Sequence, residues 1–355
     1  MLEFFLLAIS EKLSIIAPFM VAFRGNAPVF QGSFYIDVIA SLGRGFLKEV
    51  FMPAPIILFV YNRPKHTETV INALKKNTLA KDSLLYVFSD AAKKEKDFEN
   101  VSKVREIISN ISGFKEVVVI EAETNIGCAD SIISGITKVI NEHGKAIIVE
   151  DDVVTAPNFL EFMNEALNKY EKDKRIFSIS GYNVPMQIPK KWNNSVFLTY
   201  RYSSQGWGTW KDRWNEADWD VLGWQEIFTD KTKNKLFRRG GDDLPYILRA
   251  QMNGTIDAWD IRWYYSHYAK NRFTVFPTYS LVENIGFDGS GIHCGNAGKA
   301  PNKPVITQNG EKIDLPDTLE FDEEMNKLFI SRYKYTFKDK LRRFLKELLH
   351  YKINK

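Results

Sequence analysis

The chain has 355 residues, of which 45% are hydrophobic and 14% aromatic, with eight Trp. That is enough for one large core or two smaller ones, with aromatic rings left over for a binding site. A net charge of +4 argues against a nucleic-acid binder, and Cys128 and Cys294, far apart and outside any CxxC or Cys/His metal pattern, suit a reduced cytosolic compartment.

Residues 1–51 show no sustained period. Leu2 to Ile9 is apolar but broken by Glu3, too short to span a bilayer, and without the basic start of a secretory signal. We expect Met52, followed by Pro53-Ala54-Pro55, to be the native start, with residues 1–51 an upstream extension. A loosely membrane-associated leader is the rival reading.

From Pro55 the pattern becomes regular. Pro55 to Tyr61 is a continuous apolar strand, and Asn62-Arg63-Pro64 ends it. His66 to Lys76 reads as a helix, Leu84 to Phe88 as a strand ending at Ser89-Asp90, and Phe98 to Ile111 as a helix. Val117 to Ile120 is a third strand; Asn125-Ile126-Gly127 opens a helix over Ala129 to Glu142; Ala146 to Val149 is a fourth strand. Short apolar strands alternating with amphipathic helices predict an α/β fold, a doubly wound and mostly parallel sheet with helices on both faces. No G-x-G-x-x-G follows the first strand, so a dinucleotide site lacks its phosphate turn. Pro157 to Tyr170 is a further helix with Asn158, Glu161 and Glu165 facing out, and Ile176 to Gly181 a strand and turn. Beyond it, residues 192–225 are dense in Trp and residues 256–295 mix aromatics, acids and glycines. We expect this half to form loops and short elements over the ligand edge of the sheet. Phe337 to Lys355 reads as a basic amphipathic helix, docked on the domain or lying on an anionic membrane surface.

Glu150-Asp151-Asp152 stands directly after the fourth strand. Open α/β sheets bind ligands at that edge. Three adjacent acids repel one another, and burial makes the repulsion costly. A divalent cation resolves it, since hard carboxylate oxygens suit Mg²⁺ or Mn²⁺, which bridge protein to a diphosphate. The alternative is a solvated acidic turn capping the next helix.

Together, Val60-Tyr61-Asn62-Arg63-Pro64, Ser89-Asp90, Asn125-x-Gly127 and Glu150-Asp151-Asp152, in order at successive strand ends, resemble a nucleotide-sugar-dependent glycosyltransferase of the GT-A fold. The likeness is to family-2-type bacterial transferases and the N-acetylglucosaminyltransferase I group, over roughly residues 54–295. It implies a GT-A domain over 52–300, with a nucleotide-sugar half (52–181) and an acceptor half (182–300), then a linker and the basic helix (301–355). It further implies a nucleotide diphosphate sugar donor, UDP-linked, and a glycan or lipid-linked glycan acceptor in bacterial surface glycan assembly, at the inner face of the cell membrane. Asn62, Arg63, Asn125 and Gly127 would lie by the nucleotide, and Asp90 would accept from a uracil-type N–H. Asp152 would ligate Mn²⁺ or Mg²⁺, with Glu150 and Asp151 supporting the sugar, ribose or metal-bound water.

The same resemblance points to Asp260, then Asp257, in Asp257-Ala258-Trp259-Asp260, as the base that takes the acceptor proton. Gly241-Asp242-Asp243 and Asp212 are further candidates. Trp207, Trp210 and Trp259 would form an acceptor and sugar wall, against core packing as the alternative. In Gly286 to Cys294, His293 carries over as a metal ligand; a structural His is the alternative. Two rival functions remain. A nucleotidyltransferase would show a glycine-rich basic loop after the first strand, where Tyr61-Asn62-Arg63-Pro64 stands. A non-catalytic carbohydrate-binding protein would use the Trp-rich half without needing the acids.

Overall fold

The computed structural model describes residues 52–289 and 313–336. Residues 1–51, expected to be an upstream extension, His293, Cys294 and residues 337–355, expected to form a basic helix, lie outside them. Strand β1 (Ile56–Val60) is buried along its whole length. It pairs in parallel with β2 (Leu84–Ser89) on one side and β4 (Lys145–Glu150) on the other. Strand β3 (Glu116–Glu121) continues the parallel run beyond β2. These are near-continuous runs of Ile, Val, Leu and Phe, as sheets covered on both faces require.

Successive residues of β1 feed two different cores. Ile56, Leu58 and Val60 join one, under α1 (Pro64–Lys75), α2 (Phe98–Ser109) and α4 (Phe159–Lys169). Ile57 and Phe59 join the other, under α3 (Cys128–His143). Each fully buried side chain of this size stabilises the fold by about 1.5–3 kcal/mol. The α/β class, with a mostly parallel sheet and helices on both faces, is as expected.

Helix ends follow local chemistry. Pro64 opens α1, where its missing N–H costs nothing. Helix α3 is bracketed by Gly127 at φ +87° and Gly144 at φ +81°, left-handed conformations that an L side chain resists. Asn77 ties three elements together: its amide donates to Ala73 O (3.1 Å) and Thr155 Oγ1 (3.1 Å), and its Oδ1 accepts from Leu160 N (2.9 Å). Asn158 departs from the sequence reading: it precedes α4 and is buried at 4% exposure rather than facing out.

The second half is not a set of loops over the sheet edge. It extends the sheet itself to eight strands, in the order β3-β2-β1-β4-β8-β6-β9-β7. Strand β8 (Trp207–Trp210) enters antiparallel between β4 and β6 (Ile176–Ser180), and β9 (Phe273–Pro277) lies parallel to β6. Strand β7 (Val196–Thr199) closes that side, antiparallel to β9. A separate two-stranded ribbon pairs β5 (Val153–Thr155) with β10 (Val282–Asn284), bringing the segment after β10 back over the end of β4.

Short helices α5 (Lys211–Trp214), α6 (Glu226–Thr229) and α7 (Lys231–Phe237) lead to α8 (Leu244–Met252) and α9 (Trp259–Ala269). Helices α8 and α9 share the core of α3. Helix α10 (Glu323–Ile330) packs Met325, Phe329 and Ile330 on Phe197 and Phe276. Among the described residues no helix is long and apolar enough to cross a membrane.

Candidate functional site

Because β2, β1 and β4 are parallel neighbours, their carboxyl ends form one edge. Val60 pairs with Ser89 and Phe59 with Glu150, so the segments after these strands come out side by side. The Asn62-Arg63, Asp90 and Glu150-Asp151-Asp152 segments therefore leave the same edge of the sheet.

Arg63, at the N-terminus of α1, reaches across this edge to the acids. Its Nε donates to Asp151 Oδ2 at 3.2 Å and its Nη2 to Asp151 Oδ1, a two-pronged pair. Its Nη1 donates to Asp152 Oδ2 at 3.0 Å. Burial alone would lower the Arg63 pKa; the charge and hydrogen bonds of Asp151, then Asp152, raise it above its ordinary value. Gly286 lies over this contact, and a Cβ there would fall on Asp152 Oδ2. Ile285 N donates to Asp152 O at 2.8 Å, so the ribbon end is fastened to the acidic turn. His66, three residues on from Arg63, pairs through Nε2 with Asp288 Oδ2 at 3.2 Å. Sequence reasoning passed over His66, although the α1 start at Pro64 places it one turn beyond Arg63.

Glu150 is partly buried, and its carboxyl is pushed well above the usual range. Burial is the largest cause, followed by Asp152, Asp151 and Asp260, with Arg63 opposing. Burial likewise raises Asp151, which Arg63 only partly offsets. Asp260, in the first turn of α9, thus comes within electrostatic reach of an acid more than a hundred residues away in sequence. Asp257 comes to the same place and accepts from Ala129 N at 3.4 Å. The Cys128 thiol between them is raised by burial first, then by Glu150, Asp257, Asp151 and Asp260. The acids of β4 and of the segment entering α9 therefore converge on the start of α3.

Asp90 has a different task from the one expected. Its Oδ1 accepts from Ala91 N (2.8 Å) and Ile126 N (3.1 Å); its Oδ2 accepts from Asn125 Nδ2 (2.9 Å) and Gly127 N (3.1 Å). A carboxylate offers about four lone-pair positions, and all are in use. Asp90 shapes the 125–127 turn and has none left for a base N–H. Asn62 is also anchored, donating through Nδ2 to Asp97 Oδ1 at 3.0 Å, while Tyr61 Oη donates to Asp97 Oδ2 at 3.2 Å. Asp97 is a residue the motifs did not indicate.

The Trp wall requires correction. Trp207, Trp210 and Trp259 are exposed by only 0%, 1% and 5%, and no ring face is open to a sugar. Trp210 lies in the core on the other side of the sheet from Trp207, with its Nε1 donating to Leu167 O at 2.9 Å. It also pairs with Lys145, at the edge opposite Glu150. Asp212 follows it there and is held by Lys174 and Arg213. Asp243 is bound by Arg201 at 2.8 Å. Neither acid stands with the cluster.

Hard oxygen donors and crowded charge at Glu150-Asp151-Asp152 suit a divalent cation in kind. Among the described residues no three His, Cys, Asp or Glu side chains converge as a complete metal cage. Mg²⁺-type ions are commonly held by one or two carboxylates together with oxygens from a ligand or water.

No family model and no curated protein matches the chain. Among solved structures, a mannosyltransferase, PcManGT from Pyrobaculum calidifontis in complex with GDP-Man and Mn²⁺, aligns at TM-score 0.32 and 14% identity, over 49% of this chain. The alignment spans about half of that protein, 52% of its chain. A UDP-glucose pyrophosphorylase complexed with UDP-glucose aligns at TM-score 0.34 and 11% identity, over 64% of this chain and 91% of that one. A putative glucose-1-phosphate thymidylyltransferase from Bacillus anthracis aligns at TM-score 0.35 and 8% identity, over 66% and 90%. Likenesses at this level assign neither family nor activity.

Proposed function

We propose that this chain is a metal-dependent, inverting glycosyltransferase that moves a sugar from a nucleotide diphosphate donor, UDP-linked, to an acceptor hydroxyl. The observation that carries the reading is the meeting of Asp257 and Asp260 with Glu150-Asp151-Asp152 at the carboxyl edge of β1, β2 and β4. One set of acids stands where a diphosphate and its cation would be held, and a second stands beside it to work on a hydroxyl. Asp152 would hold the Mn²⁺ or Mg²⁺ together with the diphosphate. When bound, the ion supplies a Lewis acid that neutralises charge on the leaving diphosphate.

Arg63 fixes Asp151 and braces Asp152, and its charge would favour the phosphates. Asp260 takes the proton from the acceptor hydroxyl as its oxygen attacks the anomeric carbon, with Asp257 second in line. Asn62, Asn125 and Gly127 frame the nucleotide side. The setting we favour is bacterial surface glycan assembly with a glycan or lipid-linked glycan acceptor. A carbohydrate-binding protein built on exposed Trp faces is disfavoured, because Trp207, Trp210, Trp214, Trp259 and Trp263 are buried.

Release of UDP from a panel of UDP-sugars, with and without Mn²⁺, tests the reading. We expect Mn²⁺-dependent release, abolished in Asp152→Ala. Asp260→Asn should lower kcat by about 100-fold or more with donor binding intact, the scale of a lost general base. Pyrophosphate-dependent cleavage of the donor would instead identify a nucleotidyltransferase. Absence of turnover with every donor, together with unchanged donor binding in Asp152→Ala, would defeat the enzyme reading.

A further inference from the structure

From the end of β7 to the first residue of β8 the chain passes Tyr202, Gln205 and Trp207, and each leaves a buried polar atom without a partner. These atoms are Tyr202 Oη, Gln205 Oε1 and Trp207 Nε1. Tyr202 is 6% exposed and Trp207 0%. Their rings meet edge to face at 5.0 Å, and both also pack on Trp259 and Trp263. An unmet buried donor or acceptor is costly in a native fold, so three within six residues call for an occupant.

Their position says where that occupant would lie. Trp207 pairs with Ile148 across the β4–β8 ladder, so the chain before Trp207 runs out beside the β4 end that carries Glu150. Tyr202 is buried, and its phenol is raised first by that burial and then by the charges of Asp260 and Glu150, so it lies in the part of the core that borders the acid cluster.

The chemistry says what it is. Tyr202 and Trp207 each offer a donor, Gln205 offers an acceptor, and none of the three is charged. Phosphate would be repelled by the neighbouring acids. A cation would find its oxygens at Asp152 and would gain nothing from an indole N–H. A neutral group that both accepts and donates, such as a ring hydroxyl, suits these donors and this acceptor.

We propose that Tyr202, Gln205 and Trp207 form a subsite for a hydroxyl of the transferred sugar, read by the polar edges of these side chains. The proposal rests on the glycosyltransferase reading and assigns specificity-determining residues to it. The aromatics here contribute their O–H and N–H groups, and their ring faces remain part of the core.

Calorimetry on the full chain with Mn²⁺ tests it, using UDP, UDP-glucose, UDP-galactose, UDP-N-acetylglucosamine and the methyl glycosides of the same sugars. Tyr202→Phe removes one hydroxyl at constant shape, and Gln205→Ala removes the acceptor at a less buried position should the first variant fail to fold. We expect each to weaken the preferred sugar-bearing probe about fivefold, the scale of one lost hydrogen bond, and to leave UDP unchanged. If both variants bind every sugar-bearing probe as the wild type does, ordered water fills the space and the subsite is overturned. If no sugar-bearing probe binds the wild type, it is overturned as well. Binding of a methyl glycoside that weakens in Tyr202→Phe, with no binding of UDP, would uphold the subsite and defeat the nucleotide-donor reading. UDP binding with variants indifferent to the sugar would do the reverse.

Discussion

Asp90 is a motif acid whose visible work is to brace a turn. Four donors share its two oxygens. In Asp90→Asn one oxygen becomes an NH₂ that faces Asn125 Nδ2 and Gly127 N, donor against donor. The expected cost is roughly 2–4 kcal/mol, measurable by urea unfolding. Donor affinity should fall with it, since the turn that starts α3 loses its brace. His267 makes a second prediction. It is fully buried in the α9 core, and burial lowers its pKa from 6.5 to about 3. Between those values the unfolded chain binds a proton that the folded one does not. The His267 contribution is therefore complete above pH 6.5 and is lost as pH falls toward 3. At pH 5 the loss is about 2 kcal/mol. The stability gap between wild type and His267→Gln, followed from pH 8 to pH 5, should narrow by that amount.

At the scale of elements, what could be read in the sequence depended on how each strand is covered. Ile56–Val60 and Ala146–Val149 are legible because a strand buried on both faces is a run of branched apolar residues closed by turns. The helices between them show their buried stripe, as Ile132, Ile136, Val139 and Ile140 do in α3. Trp207–Trp210 is buried on both faces too, but Trp-Gly-Thr-Trp is neither an apolar run nor an alternation. Its strand character comes from pairing with β4 and β6, which local pattern does not encode. The acidic triplet is visible at its strand end, whereas the nearness of Asp260 to Glu150 depends on how α9 packs, and only resemblance pointed to it. Tyr202 belongs to no motif at all. Gly135 offers a test at this scale. A Cβ there would meet the Phe59 ring at 2.7 and 2.9 Å, so α3 lies as close to β1 as a glycine permits. Overpacking costs about 1–3 kcal/mol, against about 1 kcal/mol gained in helix propensity. We expect Gly135→Ala to be destabilising by about 1 kcal/mol in thermal unfolding. Activity should fall too, because Phe59 is the ladder partner of Glu150.

For the molecule as a whole, the acid cluster sets a bias opposite to that of His267. Glu150 holds its proton more firmly in the folded chain than in the unfolded one. Folding is therefore penalised as pH rises above the ordinary Glu value of 4.5. Glu150→Gln removes the penalty: its Tm should exceed the wild-type value at pH 8 and match it near pH 4, where Glu150 is neutral in both states. The same substitution should depress turnover, the usual exchange between an assembled charge cluster and a relaxed one.

The place of β8 in the sheet has a consequence for how the protein is made. Strand β4 pairs with β1 on one side, but its other neighbour is Trp207–Trp210, translated about 60 residues after Glu150. At about 5–20 residues per second, β4 waits roughly 3–12 s on the ribosome as an open edge, with Ala146–Val149 bare along one side. Asp257 and Asp260 emerge later still. The nascent chain therefore holds its acidic turn long before it holds the groups that surround it, and the cluster is complete only once the second half has paired with the first.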